Sequence, residues 1–305
     1  MTIQKKKIET QAQNGKNILI DLKDKFIDHQ AELLASKVEW HYLPGISIEK
    51  SEEYPIAICG RGRRSIICIH GFDSSFLEFR RLVPLMENKE RMIIPDLFGF
   101  GFSPRNEKFN YDTEAIINHL IEVINNFSGS NSVGLIGASM GGAIALELAR
   151  KLPEKINKLM LLSPAGLSGT PMSIPSPLDK FGVCFLSQKL VRKSLCRQAF
   201  AFPNQRVGDA EIQIASAHLK VNGWASSLAS FARNGGFANY GLPIPKQPIS
   251  VICGKKDRIL SRKQRDYCQS IFGENMTELE NCGHLPHLEE PRIIADLWGK
   301  MYRLD

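Results

Sequence analysis

Nowhere does this chain of 305 residues approach the roughly 18 to 20 consecutive apolar residues that a membrane-spanning helix requires, so no spanning segment is expected. The basic N-terminus, MTIQKKK, runs into a polar stretch where a signal peptide would need an uninterrupted apolar core, and secretion is not expected. The seven cysteines are an odd number with no CxxC, and several sit in apolar runs as buried thiols do; a reducing cytoplasm is the expected setting. His and Cys do not cluster at ligand spacing, so neither a metal nor an organic cofactor is expected. No aromatic-interleaved basic stripe accompanies the net charge of +7, which excludes an evident nucleic-acid footprint. Repeats and low-complexity tracts are missing, and with 43% hydrophobic and 23% charged residues the composition is that of a globular protein, not of a disordered or fibrous one. No signal bears on oligomeric state.

What is present is an alternation. Short β-rich runs recur at Val38 to Leu43, Pro55 to Cys59, Ser65 to Ile69, Arg91 to Pro95, Ser132 to Ile136, Lys158 to Leu162, Ile249 to Cys253 and Met276 to Leu279. Between them lie helical patterns, among them Thr113 to Asn126, Gly141 to Lys151, Arg262 to Phe272 and Pro291 to Tyr302, with Thr113 and Ser261 near helix starts. The expected fold class is therefore α/β, an eight-stranded, mainly parallel sheet flanked by helices. Residues 38–162 and 248–305 form its core.

Two segments break the rhythm. Residues 1–37 carry an amphipathic pattern (Leu19, Leu22, Phe26, Ile27, Leu33, Leu34) that predicts an N-terminal helical extension packed on the body. Residues 163–247 are too long for a βα connection and predict an inserted helical cap. That insertion holds nine basic and three acidic residues, and KFGVCFLSQKLVRKSLCRQAFAF interleaves cations with Phe181, Phe185, Leu186, Leu190, Val191 and Leu195. The expectation is a helix whose apolar face covers the body while its charges face water; weak contact with an anionic membrane surface is the alternative.

Chemistry concentrates around Gly137-Ala138-Ser139-Met140-Gly141, a G-x-S-x-G turn between a β-run and an Ala/Leu-rich helix. The bare pattern is weak, and its flanking strand and helix give it meaning. Small residues two before and two after the serine allow a sharp strand-to-helix turn that presents a nucleophile. A serine hydroxyl needs a base, and the base needs an orienting acid. Asp257 follows the strand ISVIC, at the carboxyl edge where sites on open α/β sheets gather, and His284 follows Gly283 between the last strand and the last helix. His287 is the rival base, otherwise capping the last helix or lining the entrance. Asp96 is the rival acid, otherwise fixing its loop by hydrogen bonds to backbone. Glu289 and Glu290 read as charges at a helix N-terminus. Backbone amides of Phe72, after His70-Gly71, and of Met140 are the candidate oxyanion donors, with His70 shaping the loop. Phe181, Phe185, Trp224, Phe231, Phe237 and Tyr240 are candidates to line an apolar acyl pocket.

Five motifs together resemble the α/β-hydrolase fold superfamily: His70-Gly71, the Asp-x-x-Gly-x-Gly turn from Asp96 to Gly101 followed by Ser103, the elbow at Ser139, Asp257, and Gly283-His284 with Glu290-Pro291. The resemblance implies a Ser139, His284, Asp257 triad and a serine hydrolase but does not fix the substrate; with the apolar candidates of the insertion, a small hydrophobic carboxylic ester is expected, with a thioester or lipid ester as variants. A serine nucleophile separates it from the epoxide hydrolases and dehalogenases, which use aspartate. Carbon-carbon bond hydrolases of the meta-cleavage-product type share Ser139 to Gly142 and resemble Ser163 to Leu167; where they carry a tryptophan after the histidine, this chain has Leu285. A ligand-binding protein that has lost turnover is the reading outside the enzymes.

Overall fold

The computed structural model describes residues 14–47, 52–106, 108–129 and 131–301. Its eight strands are β1 (Val38–Tyr42), β2 (Glu53–Cys59), β3 (Arg64–Ile69), β4 (Glu90–Pro95), β5 (Val133–Ala138), β6 (Ile156–Leu162), β7 (Ile249–Gly254) and β8 (Met276–Leu279). They form one sheet in the order β1-β2-β4-β3-β5-β6-β7-β8. β2 runs antiparallel to both neighbours and the remaining pairs are parallel.

Period-two alternation explains the two-sided core. Ile67, Ile69, Ile93, Leu135, Leu159 and Val251 pack on one face of the sheet, whereas their chain neighbours Ile66, Cys68, Met92, Ile136, Met160 and Ile252 pack on the other. Strands buried on both faces are apolar throughout, as a parallel sheet under two helical layers requires. Helices Thr113–Phe127 and Met140–Lys151 cover the first face; Trp298 and Ile294 of helix Pro291–Met301 cover the second. Asp112, one residue before Thr113, caps the first of these helices by accepting from the Ala115 amide, and Ser261 forms a capping box with Gln264.

The start of the described chain forms two helices, Asn14–Lys23 and His29–Ala35, whose Leu19 and Leu34 join the second core face. Ile27 and Leu33 of the expected apolar stripe point to solvent, because the chain turns at Asp28 and starts a new helix with a different inward face. Residues 1–13 of the expected extension and Tyr302 of the expected last helix lie outside the described residues. Between β6 and β7 the chain forms helices, including Leu178–Ser187, Lys189–Ala199, Asp209–Ser216 and Trp224–Arg233, and no strand. All seven cysteines are free. Among the described residues no helix is long and apolar enough to cross a membrane.

His119 on helix Thr113–Phe127 is fully buried, with its ring 5.0 Å from Tyr54 and 6.1 Å from Phe98. Neither ring nitrogen has a hydrogen-bond partner among the described residues. Burial, reinforced by His70, lowers its pKa to about 3. Below the ordinary value of 6.5 the unfolded chain therefore takes up a proton that the folded chain refuses, so stability falls as pH falls. His119→Leu removes this liability: its stability relative to the wild type is constant above pH 6.5 and rises below it by about 1.4 kcal/mol per pH unit. Urea unfolding of both proteins at several pH values between 5 and 7 measures the slope, and parallel curves would refute the assignment.

Candidate active site

Ser139 stands where β5 turns into helix Met140–Lys151, with φ 52° and ψ −120°, a conformation that L-residues avoid and that surrounding structure must enforce. The enforcement is visible. A Cβ on Gly137 would lie 2.3 Å from the Gly141 carbonyl oxygen, and one on Gly141 would lie 2.1 Å from that of Ile69, so both flanking positions require glycine. The Ser139 amide also donates to the Leu162 carbonyl at 2.8 Å, tying the turn to β6.

Two loops deliver the partners. His284 Nε2 lies 2.9 Å from Ser139 Oγ, and its Nδ1 lies 2.8 Å from Asp257 Oδ2. The other Asp257 oxygen accepts from the amides of Ile259 (2.7 Å) and Leu260 (3.0 Å). Burial works to raise the Asp257 pKa, but the hydrogen bond and charge of His284, with those two amides, outweigh it and hold the carboxyl below its ordinary range. The histidine loop is clamped twice: the His284 amide donates to the Ala199 carbonyl at 2.7 Å, and the Gly283 amide donates to Glu289 Oε1 at 2.6 Å. Glu289 is thus a buried brace, also accepting from the Ala201 amide at 2.8 Å, two residues ahead of helix Pro291–Met301, where the sequence predicts a helix N-terminal charge.

The rivals are engaged elsewhere. Asp96 accepts from the amides of Phe76 and Phe102, both at 2.6 Å, and its full burial pushes the pKa up to about 7. His70 donates from Nδ1 to the Gly71 carbonyl (2.8 Å) and accepts at Nε2 from the Leu97 amide (3.0 Å), which fixes a neutral tautomer; burial lowers its pKa to about 4. His287 neither caps the last helix nor faces an entrance. It is fully buried, 3.1 Å from Glu78 Oε1, and Glu78 in turn accepts from the Gly71 amide at 3.2 Å.

Gly71 passes so close that a Cβ there would lie 3.2 Å from Ser139 Cβ, which brings the Phe72 backbone beside the serine. Met140 opens the helix behind it. Neither amide is bonded to a backbone carbonyl among the described residues, and the helix N-terminus adds positive potential at Met140.

Ser139 and His284 open on a cavity of about 350 Å³ whose walls include Leu186, Leu195, Phe200 and Leu288. None of the six aromatic residues expected to line it does so. Trp224 is buried and donates from Nε1 to Asp73 at 2.8 Å, and Phe231 packs under Phe72 and Phe100 at centroid distances of 6.0 and 5.5 Å. Phe237 and Tyr240 pair with each other at 4.2 Å, and Phe181 and Phe185 point to solvent. Leu186, Leu195, Phe200 and Leu288 take their place.

Sequence reasoning also missed Asp73, next to Phe72. It is buried at φ 49°, accepts from Trp224 and His218 (3.0 Å), and pairs with Arg192, which also donates to the Ala215 carbonyl. Burial works to raise the Asp73 pKa, yet His218, Arg192 and Trp224 together lower it to about 2. All three partners come from the segment between β6 and β7, so one carboxylate ties that segment to the backbone beside Ser139.

The family profile described as alpha/beta hydrolase fold matches residues 64–291. A Bacillus subtilis (strain 168) protein named Uncharacterized hydrolase YugF is 36% identical over 252 residues, covering 77% of this chain and 88% of its own length. Lipase 3 of Moraxella sp. (strain TA144) is 34% identical over 249 residues, covering 76% and 75%. Among solved structures, 2-hydroxy-6-oxo-6-phenylhexa-2,4-dienoate hydrolase of Rhodococcus sp. strain RHA1 superposes with a TM-score of 0.69 at 19% identity, covering 87% of this chain and 99% of that one. The profile match spans the elbow, both loops that carry the partners of Ser139, and the whole parallel part of the sheet: the chain belongs to the α/β hydrolase fold family.

Proposed function

We propose that this protein is a serine hydrolase that cleaves a carboxylic ester of a hydrophobic substrate. The carrying observation is the unbroken line from Asp257 through His284 to Ser139 Oγ, opening on a cavity whose walls include Leu186, Leu195, Phe200 and Leu288. In this reading His284 Nε2 takes the Ser139 proton as Oγ attacks the acyl carbon, and Asp257 holds the proton on Nδ1 and stabilises the imidazolium. The amides of Phe72 and Met140 receive the oxyanion. His284 then protonates the departing alkoxide, leaving an acyl-enzyme. Water, deprotonated by the same nitrogen, attacks the ester carbonyl and releases the acid and free Ser139. The 163–247 insertion acts as the cap that shapes the acyl site, and the lipase name of one relative agrees with an apolar acyl group.

A panel of p-nitrophenyl esters from acetate to long chains tests this reading. The expected result is kcat/KM rising with chain length, by several-fold for each added pair of methylenes until the cavity is filled, and disappearance of activity in Ser139→Ala. Rates on acetate equal to or above those on longer esters would contradict the hydrophobic acyl site. Turnover confined to a vinylogous diketone would favour carbon-carbon cleavage by the same residues.

A further inference from the structure

Helix Leu178–Ser187 is apolar on two opposite sides. Val183 is buried on the side that packs against helix Trp224–Arg233, and Leu186 lines the Ser139 cavity. Leu178, Phe181 and Phe185, spaced i, i+3 and i+7, share the other side and are 61%, 68% and 63% exposed. Leu190, at the start of the next helix, is 81% exposed, and Met172, before the first, 73%. Elsewhere among the described residues the most exposed large apolar side chains are Ile27 at 63%, Leu242 at 56% and Ile20 at 52%. Of the apolar residues that the sequence suggests should cover the body, Phe181, Phe185 and Leu190 therefore face outward, while Leu186, Val191 and Leu195 are half-buried, Leu186 and Leu195 against the Ser139 cavity.

The charges beside this stripe have one sign. Lys180, Lys189 and Lys193 are exposed on the same two helices, and none forms an ion pair among the described residues. The nearest acid in sequence, Asp179, is buried and bound by Arg233. Projecting aromatic and aliphatic side chains flanked by unpaired lysines, with no anion among them, match the boundary of an anionic bilayer, where rings enter the headgroup layer and ammonium groups meet lipid phosphates. A second copy of the chain would instead set lysine against lysine. We propose that the face formed by Leu178, Phe181, Phe185 and Leu190 docks the protein on an anionic lipid surface. The inference concerns binding and stands whichever bond the protein cleaves.

Cosedimentation of the full chain with vesicles tests it. Vesicles of phosphatidylcholine containing about one third phosphatidylglycerol are expected to bind the protein, vesicles of phosphatidylcholine alone to bind it weakly, and about 0.5 M NaCl to release most of it. Phe181→Ser/Phe185→Ser is expected to lower partitioning at least tenfold, and Lys189→Gln/Lys193→Gln about fivefold per lysine, with thermal stability and hydrolysis of a water-soluble short ester unchanged in both. Equal partitioning of wild type and both variants would overturn the proposal, as would no binding to either vesicle. A concentration-dependent dimer abolished by Phe181→Ser, without vesicle binding, would also overturn it and assign the face to a second copy.

Discussion

Replacing Asp257 with asparagine is expected to lower kcat about 10⁴-fold at neutral pH while leaving the protein folded. The geometry dictates which way the amide must lie. One oxygen of Asp257 receives two backbone amides, from Ile259 and Leu260, so the asparagine oxygen must stay there and its NH₂ must face His284. A donor facing Nδ1 drives the imidazole proton to Nε2, the nitrogen 2.9 Å from Ser139 Oγ, and a protonated Nε2 cannot take the serine proton. The same substitution at the rival acid has the opposite signature. Both oxygens of Asp96 accept a backbone amide, so Asp96→Asn sets an NH₂ against an N–H whichever way it turns, and stability suffers before chemistry does. Measuring kcat and the unfolding midpoint for both variants separates them. A loss below about tenfold in Asp257→Asn would remove Asp257 from the role proposed for it.

The contrast shows what the sequence made legible. Each member of the Ser139, Asp257, His284 set follows the carboxyl end of a strand, and strands buried on both faces announce themselves as apolar runs. Their convergence follows once the strand order is known, because β5, β7 and β8 lie on the same half of the sheet with parallel neighbours. Strand ends shifted by a residue or two, as at Glu53 and Tyr42, because pairing with the neighbouring strand and not propensity decides where a strand stops. The insertion was legible as helical but not in its orientation. A helix such as Leu178–Ser187, apolar on two sides, gives no clue in its periodicity about which side meets the body. Asp73 was invisible for a different reason. Its partners Arg192, His218 and Trp224 lie 119, 145 and 151 residues away, and an aspartate in a turn is ordinarily a solvated turn residue.

Asp73→Ala is expected to lower the unfolding free energy by about 3–5 kcal/mol, because it strands the buried guanidinium of Arg192 and the Nε2–H of His218 without an anion. The expected loss belongs to the imbalance more than to the pair. Arg192→Met in the same background removes the orphaned charge, so the double variant is expected to be more stable than Asp73→Ala alone, and the two effects far from additive. pH gives an independent handle. With a folded pKa of about 2 against 3.8, Asp73 contributes its stabilisation above pH 3.8 and loses it as pH falls toward 2, a limb that the Ala variant lacks. Catalysis supplies the third readout. Asp73 holds a left-handed backbone angle immediately after Phe72, and without its three partners that turn relaxes and moves the Phe72 amide away from Ser139. Hydrolysis should then fall in kcat by about 10²-fold with KM little changed, the pattern of an interaction made only in the transition state. If Asp73→Ala weakens stability but leaves kcat intact, the tie between the insertion and the Phe72 turn is structural only, and the Phe72 amide proposed to meet the oxyanion is held by Glu78 and Gly71 alone.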